Sequence, residues 1–303
     1  MRSPALKVIR CGTILNRCPL DFADWTVNPY GGCAFGCSYC FVPAMKARLG
    51  VELPASWGEY VEVKGNAAET LRRQMRAVKP GERIAMGTAT DPYQPAERTH
   101  RITRSLLEQL CFYDNPVSIT TRSPLVLRDV DVLARLANVR VNVSIPFVDD
   151  AVRRAFEPNA PAPAGRLECV RRLRDAGIRV SIFWAPVLPG VTDTERAMRA
   201  ILTEFAKIGV PVLAMPLRHQ PWLPPYYEQR RRAYLRERGP DATALPGREV
   251  GRTMERLASE LGVALEVSEG LCVERRVPAL RRMPGGAAGR RQRTCQVPDL
   301  SRA

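Results

Sequence analysis

Short runs of β-branched residues alternate with amphipathic segments along most of this 303-residue chain, and this alternation limits the folds open to it. The runs predict strands at 25–28, 83–88, 117–121, 139–144, 178–184 and 210–215. Apolar residues at helical spacing predict helices at 67–78, 102–112, 126–136, 164–176 and 192–208. Gly177 and Gly209 each stand directly before a predicted strand, where a helix C-cap belongs.

Six strands separated by helices indicate an α/β protein with a parallel sheet and right-handed crossovers. Six units are too few for a closed eight-stranded barrel. The repeats by themselves fit either a partial (β/α)6 barrel of TIM type or a doubly wound sheet.

Three cysteines, Cys33, Cys37 and Cys40, follow the first predicted strand with C-x3-C-x2-C spacing. Three thiolates in one short loop can bind a cubane iron–sulfur cluster and leave its fourth iron without a protein ligand. Neighbouring glycines suit a backbone that folds tightly around such a group. A zinc site normally has a fourth Cys or His at similar spacing, and none lies near. The spacing favours a cluster over zinc or three unpaired thiols.

Polar and turn-forming residues follow each of the six predicted strands. These segments are 33–40, 88–97, 120–124, 144–147, 186–193 and 216–219. Because the carboxyl ends of parallel strands meet at one rim of a barrel, the segments predict a pocket there.

The motifs N-P-Y-x-G-C-x3-C-x2-C-F, T-D-P-Y-Q-P-x-E at 90–97 and S-P-L-V-L-R-D at 123–129 occur in this order. Together they resemble the DNA-repair-photolyase-like group of the radical S-adenosylmethionine (radical SAM) superfamily, which is related to spore photoproduct lyase. The resemblance covers roughly residues 20–217 and favours the partial barrel.

The resemblance implies two cofactors, a [4Fe-4S] cluster on Cys33, Cys37 and Cys40 and S-adenosylmethionine on its open iron. Tyr39 would lie by the adenine. By their order along the chain, Thr90, Arg122 and Ser144 would contact the cofactor. Arg122 replaces a lysine of the related lyases, and the two side chains are not interchangeable.

One further position departs from the spore photoproduct lyases. Their hydrogen-donating cysteine lies three residues before the aspartate of the second strand, where this chain has Thr88. Tyr93 is the nearest residue of the motif with a weak enough O–H bond to donate a hydrogen atom, and it is our candidate catalytic residue.

The chain carries a formal net charge of +15, which would attract nucleic acid. Coding bias toward arginine is the plainer explanation, so nucleic acid is one candidate partner beside an unidentified substrate. An odd number of cysteines and the lack of an apolar signal at residues 1–30 argue against secretion. The apolar stretch at 180–191 is broken by Pro186 and Pro189, so we expect a soluble, cytoplasmic protein.

These observations divide the chain into an N-terminal segment (1–19), a radical SAM core (20–217), an α-rich extension (218–283) and a basic, disordered tail (284–303). The resemblance implies an enzyme in which the reduced cluster cleaves S-adenosylmethionine to a 5′-deoxyadenosyl radical, which then abstracts hydrogen from a substrate. Its electron donor would be a protein such as flavodoxin or ferredoxin. The alternatives are a DNA lesion repair lyase and a non-catalytic iron–sulfur protein that binds nucleic acid or carries electrons.

Overall fold

The computed structural model of the protein describes residues 3–18, 21–217, 223–238, 245 and 247–268. Its strands are β1 (Ala5–Ile9), β2 (Leu15–Arg17), β3 (Trp25–Val27), β4 (Tyr30–Gly32), β5 (Tyr60–Lys64), β6 (Ile84–Met86), β7 (Val117–Thr121), β8 (Val139–Ser144), β9 (Val180–Val187), β10 (Val212–Pro216) and β11 (Leu265–Val267). Its α-helices are α1 (Val42–Arg48), α2 (Ala67–Gln74), α3 (Glu97–His100), α4 (Ile102–Leu110), α5 (Val130–Leu133), α6 (Asp150–Phe156), α7 (Pro163–Asp175), α8 (Glu195–Ala206), α9 (Pro225–Arg238) and α10 (Gly247–Glu260). Two 3-10 turns lie at Met75–Ala77 and Pro124–Asp129.

The main sheet contains eight of the described strands, in the order β2, β3, β6, β7, β8, β9, β10, β11. Neighbours from β3 to β11 are parallel, and β2 runs antiparallel to β3. The strand order advances in one direction with the chain, whereas a doubly wound sheet reverses direction at its middle. Within the described residues β2 and β11 do not pair with each other. The fold is therefore the predicted partial barrel, with β11 as a further parallel strand.

Rows of branched side chains across neighbouring strands fill the core. Val143 of β8 pairs in register with Ile182 of β9, which pairs with Val212 of β10, and all three are buried. Burying an aliphatic side chain of this size contributes about 1.5–3 kcal/mol. A register shift of one residue would turn such a row to the other face of the sheet, so burial fixes the register.

All six predicted strands are present, with ends that differ by up to three residues. Four of the five predicted helices correspond to α2, α4, α7 and α8. The helix predicted at 126–136 is wrong in type over its first half, because the chain forms the 3-10 turn Pro124–Asp129 before the short helix α5. Ser123 caps that turn, its Oγ accepting a hydrogen bond from the Leu125 N–H at 3.3 Å.

A second sheet, not predicted from the sequence, has the strand order β1, β5, β4 and leads into the cysteine loop. Strand β4 ends at Gly32, directly before Cys33. A Cβ at Gly31 would lie 2.5 Å from Oε2 of Glu62, and one at Gly32 would lie 2.5 Å from the carbonyl oxygen of Tyr60. Gly32 is therefore needed for β4 to approach β5, whereas the Glu62 side chain could move away from a Cβ at Gly31.

The described part of the C-terminal extension packs against the barrel. Val250, Met254 and Leu257 of α10 are buried in the main core, and β11 extends the main sheet. Helix α9 crosses α6, where the ring of Tyr234 lies 5.3 Å from that of Phe156. The proposed tail at 284–303 lies outside the described residues. No helix in the described part of the chain has the length and apolar character that a bilayer crossing requires.

Candidate functional site

The cysteine loop follows β4 at the carboxyl-terminal rim of the barrel. Cys33 and Cys37 are buried, and Cys40 is partly exposed. Burial raises the pKa of each thiol to about 12, and each thiol is also affected by the charge of another. Among the described residues the thiols are not drawn together as a finished metal site. Their clustering in one loop and their sulfur chemistry nevertheless fit an iron–sulfur cluster, whose charge would favour the thiolate forms.

The T-D-P-Y-Q-P-x-E segment, which follows β6, supports the backbone of this loop from one side. The Thr90 hydroxyl donates to the Gly32 carbonyl at 2.6 Å, and the Ala34 N–H donates to Oε1 of Gln94 at 2.9 Å. Nε2 of Gln94 in turn donates to the Thr90 hydroxyl at 3.0 Å. Thr90 thus has a structural role at the loop, and its predicted contact with the cofactor stays a prediction.

The segment after α6 supports the loop from the other side. The Ser38 N–H donates to the Phe156 carbonyl at 2.8 Å, and Nδ2 of Asn159 donates to the Ala34 carbonyl at 2.9 Å. The cysteine loop is therefore held by hydrogen bonds to the segment after β6 and to the end of α6 with the residues that follow it.

Asp91 joins the ends of β6 and β7. Its carboxylate accepts hydrogen bonds from the Thr121 hydroxyl at 2.7 Å, the Arg122 N–H at 2.7 Å and the Tyr93 N–H at 2.9 Å. Burial raises the pKa of Asp91 despite these donors. This carboxylate sets the path of the backbone at Arg122.

One buried network beside the cysteines joins Tyr39, Arg122, Glu157 and Arg166. The carboxylate of Glu157 accepts hydrogen bonds from Nε of Arg122 at 2.8 Å, from the Tyr39 hydroxyl and from Nη2 of Arg166. Burial raises the pKa of Glu157, but the two guanidinium groups outweigh it and lower the pKa to about 2. The Glu157 carboxylate is therefore favoured in its ionised form between the two guanidinium groups.

Two of the predicted cofactor-binding residues, Tyr39 and Arg122, meet in this network. Nη2 of Arg122 lies 3.3 Å from the Tyr39 hydroxyl, and its guanidinium carbon lies 5.8 Å from the centre of the Tyr39 ring. The Arg122 side chain remains 20% exposed. Its predicted contact with the cofactor stays a prediction.

Ser144 lies at the end of β8 and is connected to the same network. Its carbonyl accepts a hydrogen bond from Nη1 of Arg166 at 3.0 Å, and its hydroxyl lies 3.4 Å from the Ala185 carbonyl. The side chain is buried, so its predicted contact with the cofactor stays a prediction.

Tyr93 is packed in the main core of the barrel. Its ring is 1% exposed and belongs to the main core, whereas the cysteines pack in a separate cluster with Tyr39, Phe147 and Phe156. Burial, with the nearby carboxylates of Asp129 and Glu97, raises the pKa of Tyr93. The catalytic role of Tyr93 stays a prediction.

The three motifs that carried the sequence resemblance are joined at Glu97. Its carboxylate accepts hydrogen bonds from the Tyr30 hydroxyl, from the Thr103 N–H at 2.9 Å and from Nη2 of Arg128 at 2.6 Å. Tyr30 precedes the cysteine loop, and Arg128 belongs to S-P-L-V-L-R-D. The motifs therefore form one framework beneath the site.

The Radical SAM superfamily model matches residues 27–201, which is more than half of the chain and includes the cysteine loop and most of the barrel. The chain belongs to the radical SAM superfamily. Members of this superfamily use a [4Fe-4S] cluster and S-adenosylmethionine, and the residues around the cysteine loop suit both groups.

Two relatives show how far the similarity extends in sequence. An uncharacterised protein of Mycobacterium tuberculosis is 34% identical over 210 residues, which are 66% of this chain and 61% of that protein. A protein of Pseudomonas phage M6, described as a radical SAM Nα-GlyT isomerase, is 24% identical over 184 residues, or 60% of this chain and 37% of the phage protein. The chain thus spans less than two thirds of the length of these relatives.

Spore photoproduct lyase is similar in structure. Its complex with the dinucleoside spore photoproduct matches with a TM-score of 0.63 and 17% identity, covering 86% of this chain and 81% of that one. At 17% identity the similarity shows a shared fold alone. The expected relation to the spore photoproduct lyase group is confirmed at that level.

Proposed function

We propose that this chain is a radical SAM enzyme whose substrate enters the mouth of the partial barrel. The observation that carries the proposal is the position of the three-cysteine loop beside the Tyr39–Arg122–Glu157–Arg166 network. A bound cluster and S-adenosylmethionine would together supply a 5′-deoxyadenosyl radical able to abstract hydrogen from an unactivated C–H bond. Cys33, Cys37, Cys40, Cys111 and Cys169 form no disulfide, which suits activity in the reducing cytoplasm.

The protein's own residues would bind and orient the cofactor. Cys33, Cys37 and Cys40 would supply the thiolate ligands. Arg122 would direct its remaining N–H donors at the carboxylate of the methionine part of the cofactor, since a guanidinium binds carboxylate through paired donors. Tyr39 would pack against the adenine. Thr90 and Ser144 would contact the cofactor from the ends of β6 and β8.

Aromatic side chains would exclude water from this site. The ring of Phe147 lies 5.8 Å from that of Phe156 and 6.4 Å from that of Tyr39. Tyr227 of α9 closes the cluster at 6.5 Å from Phe156. A dry site favours a radical reaction because it keeps solvent and competing hydrogen donors away.

The decisive experiment is reductive cleavage of S-adenosylmethionine. Protein reconstituted anaerobically with iron and sulfide should form 5′-deoxyadenosine after reduction. Cys33→Ala, Cys37→Ala and Cys40→Ala should each lose most of the iron and all of this product, whereas Cys169→Ala should keep both because Cys169 is a buried residue of α7. An intact cluster that never yields 5′-deoxyadenosine would instead support a non-catalytic iron–sulfur protein.

Nucleic acid is the candidate substrate class suggested by charge. Exposed arginines of α9, Arg232 and Arg236, add to the net charge of +15. Phosphate-driven binding would weaken steeply with salt and depend little on base sequence. Titration of labelled single-stranded DNA at two salt concentrations tests this, and binding that is absent at low salt would remove nucleic acid from consideration.

A further inference from the structure

Tyr60 of β5 lies between the two ends of the cysteine loop. Its ring lies against Gly32, the residue before Cys33, since a Cβ at Gly32 would be 2.7 Å from Cε2 of the ring. Its hydroxyl oxygen lies 3.5 Å from Nζ of Lys46. Lys46 belongs to α1, which begins two residues after Cys40. Tyr60 thus meets the chain directly before the first cysteine and again in the helix that follows the third.

The hydroxyl of Tyr60 carries a hydrogen that no described residue accepts. An ammonium group only donates, so the Tyr60 oxygen is the acceptor toward Lys46 and its own hydrogen points elsewhere. In the part of the chain that the structure describes, Lys46 is the one hydrogen-bond partner of this hydroxyl. Tyr60 is 3% exposed, and a buried tyrosine hydroxyl normally finds a partner for its hydrogen.

The surroundings of Tyr60 point to the cluster as that partner. Burial raises the pKa of Tyr60, and the charges of Glu62, Cys40 and Cys33 raise it further. Cys33 and Cys40 are two of the three predicted cluster ligands, and the sulfurs of an iron–sulfur cluster accept hydrogen bonds. Trp57 packs edge-on against the Tyr60 ring, with the ring centres 6.1 Å apart, and so restricts its movement.

We propose that the Tyr60 hydroxyl, oriented by Lys46, donates a hydrogen bond to the iron–sulfur cluster and raises its reduction potential. The proposal rests on the proposed function, since it assumes a cluster on Cys33, Cys37 and Cys40. A hydrogen bond to the cluster stabilises its reduced form more than its oxidised form, because reduction adds negative charge to the acceptor. Lys46 acts through Tyr60 and is a positioning residue.

The test is the midpoint potential of the cluster, measured without S-adenosylmethionine. Anaerobically reconstituted protein is titrated with titanium(III) citrate in the presence of redox mediators, and the electron paramagnetic resonance signal of the reduced cluster is followed. Tyr60→Phe keeps the ring and removes only the hydroxyl, so it should keep the iron. It should lower the equilibrium constant for one-electron reduction about tenfold, which corresponds to about 59 mV.

The matched control is Tyr113→Phe, which removes a hydroxyl from a partly buried ring packed on the main core. It should change the equilibrium constant less than twofold. An unchanged potential in Tyr60→Phe at full iron content, or an equal shift in Tyr113→Phe, would overturn the proposal.

Lys46→Met tests the orientation of the hydroxyl, and it decides the question if Tyr60→Phe fails to hold its cluster. Without the ammonium the hydroxyl can turn, so the equilibrium constant should fall at least threefold at full iron content. Lys7→Met removes the same charge from an exposed position of β1, in the same sheet as Tyr60, and should change the constant less than twofold.

Equal shifts in the two lysine variants, or no shift in either, would overturn the proposal. Because the potential is measured without S-adenosylmethionine, a failure to form 5′-deoxyadenosine would count against the proposed function alone.

Discussion

Glu157 illustrates at the residue scale why part of the site is hidden from sequence reasoning. It lies 118 positions from Tyr39 and 35 from Arg122, yet its carboxylate accepts hydrogen bonds from both. The cysteines could be predicted because their ligand chemistry is local and their spacing is characteristic. Glu157 carries only the weak signal of a Glu-Pro pair after a helix, and its role arises when the end of α6 meets the cysteine loop and the end of β7.

Glu157→Gln should destabilise the protein strongly. The change removes the carboxylate between Arg122 and Arg166, and it leaves the Arg166 guanidinium, which is 1% exposed, without a counter-ion. Breaking a buried ion pair in this way costs about 3–5 kcal/mol. The free energy of unfolding, measured by urea titration, should fall by that amount.

The matched control for this change is Glu168→Gln on α7. That carboxylate is 58% exposed, and its pairing with Arg171 should contribute less than about 1 kcal/mol. If the two variants are equally stable, Glu157 does not hold the network together.

The buried carboxylate of Asp193 predicts that the stability of the protein depends on pH. Asp193 is buried after β9, where its carboxylate accepts a hydrogen bond from the Gly190 N–H at 2.5 Å. Burial raises its pKa from 3.8 to about 6. The folded protein therefore binds this proton more tightly than the unfolded chain, so stability present at low pH is lost as pH rises from about 4 to 6.

That loss amounts to about 3 kcal/mol at most, at 1.36 kcal/mol per pKa unit. Asp193→Asn should remove this contribution, so the difference in unfolding free energy between variant and parent should shift in favour of the variant between pH 4 and pH 7. Urea titrations across this range measure it. A difference that stays constant with pH would contradict the shifted pKa.

At the scale of elements, long β-branched runs were predictable and short strands held by tertiary contacts were not. Strand β4 has the sequence Tyr-Gly-Gly, which has little intrinsic preference for a strand, and it forms because it pairs with β5. The turn Pro124–Asp129 has apolar spacing like a helix. It nevertheless forms a 3-10 turn, with Pro124 at its first position and the buried Asp129 at its last.

Gly32→Ala tests whether the close approach of β4 to β5 positions the cysteine loop. Gly32 has φ +72°, and a Cβ there would meet the Tyr60 backbone, which cannot easily move within β5. Left-handed strain alone costs about 1–2 kcal/mol, so the clash should bring the loss of stability above that value. Reconstituted protein should also bind less iron, because Cys33 follows directly.

Gly81→Ala is the matched control, since Gly81 also has positive φ, +82°, and no atom lies within 4 Å of an added Cβ. Gly81→Ala should lose about as much stability as left-handed strain costs, and it should bind as much iron as the unaltered protein. Equal iron content in the two variants would show that the close approach of β4 to β5 does not position the cysteine loop for iron binding.

At the scale of the whole molecule, the partial barrel and the family motifs are parts of one arrangement. The motifs converge at Glu97 beneath the rim, and α6 and α9 meet above it. The barrel was predictable because six strand–helix repeats leave few topologies. The packing of α9 on α6 was not, because that helix packs through scattered aromatic residues such as Tyr227 and Tyr234 rather than a continuous apolar stripe.

The likeness to spore photoproduct lyase raises the question of whether this chain repairs the same lesion, and Thr88 argues that it does so poorly. Thr88 follows β6, and its hydroxyl accepts a hydrogen bond from Nδ2 of Asn28 at 3.1 Å. The related lyases are expected to have a hydrogen-donating cysteine at this position. An O–H bond is much stronger than an S–H bond, so threonine cannot readily quench a carbon-centred product radical.

We therefore expect at most slow turnover of the dinucleoside spore photoproduct, with side products in place of clean thymine. Thr88→Cys should raise the fraction of clean product, whereas Ser118→Cys, a similar change in the neighbouring strand β7, should not. Liquid chromatography of anaerobic reaction mixtures measures both fractions. Efficient, clean repair by the unaltered protein would show that the hydrogen donor is another residue, and it would make DNA lesion repair the proposed function.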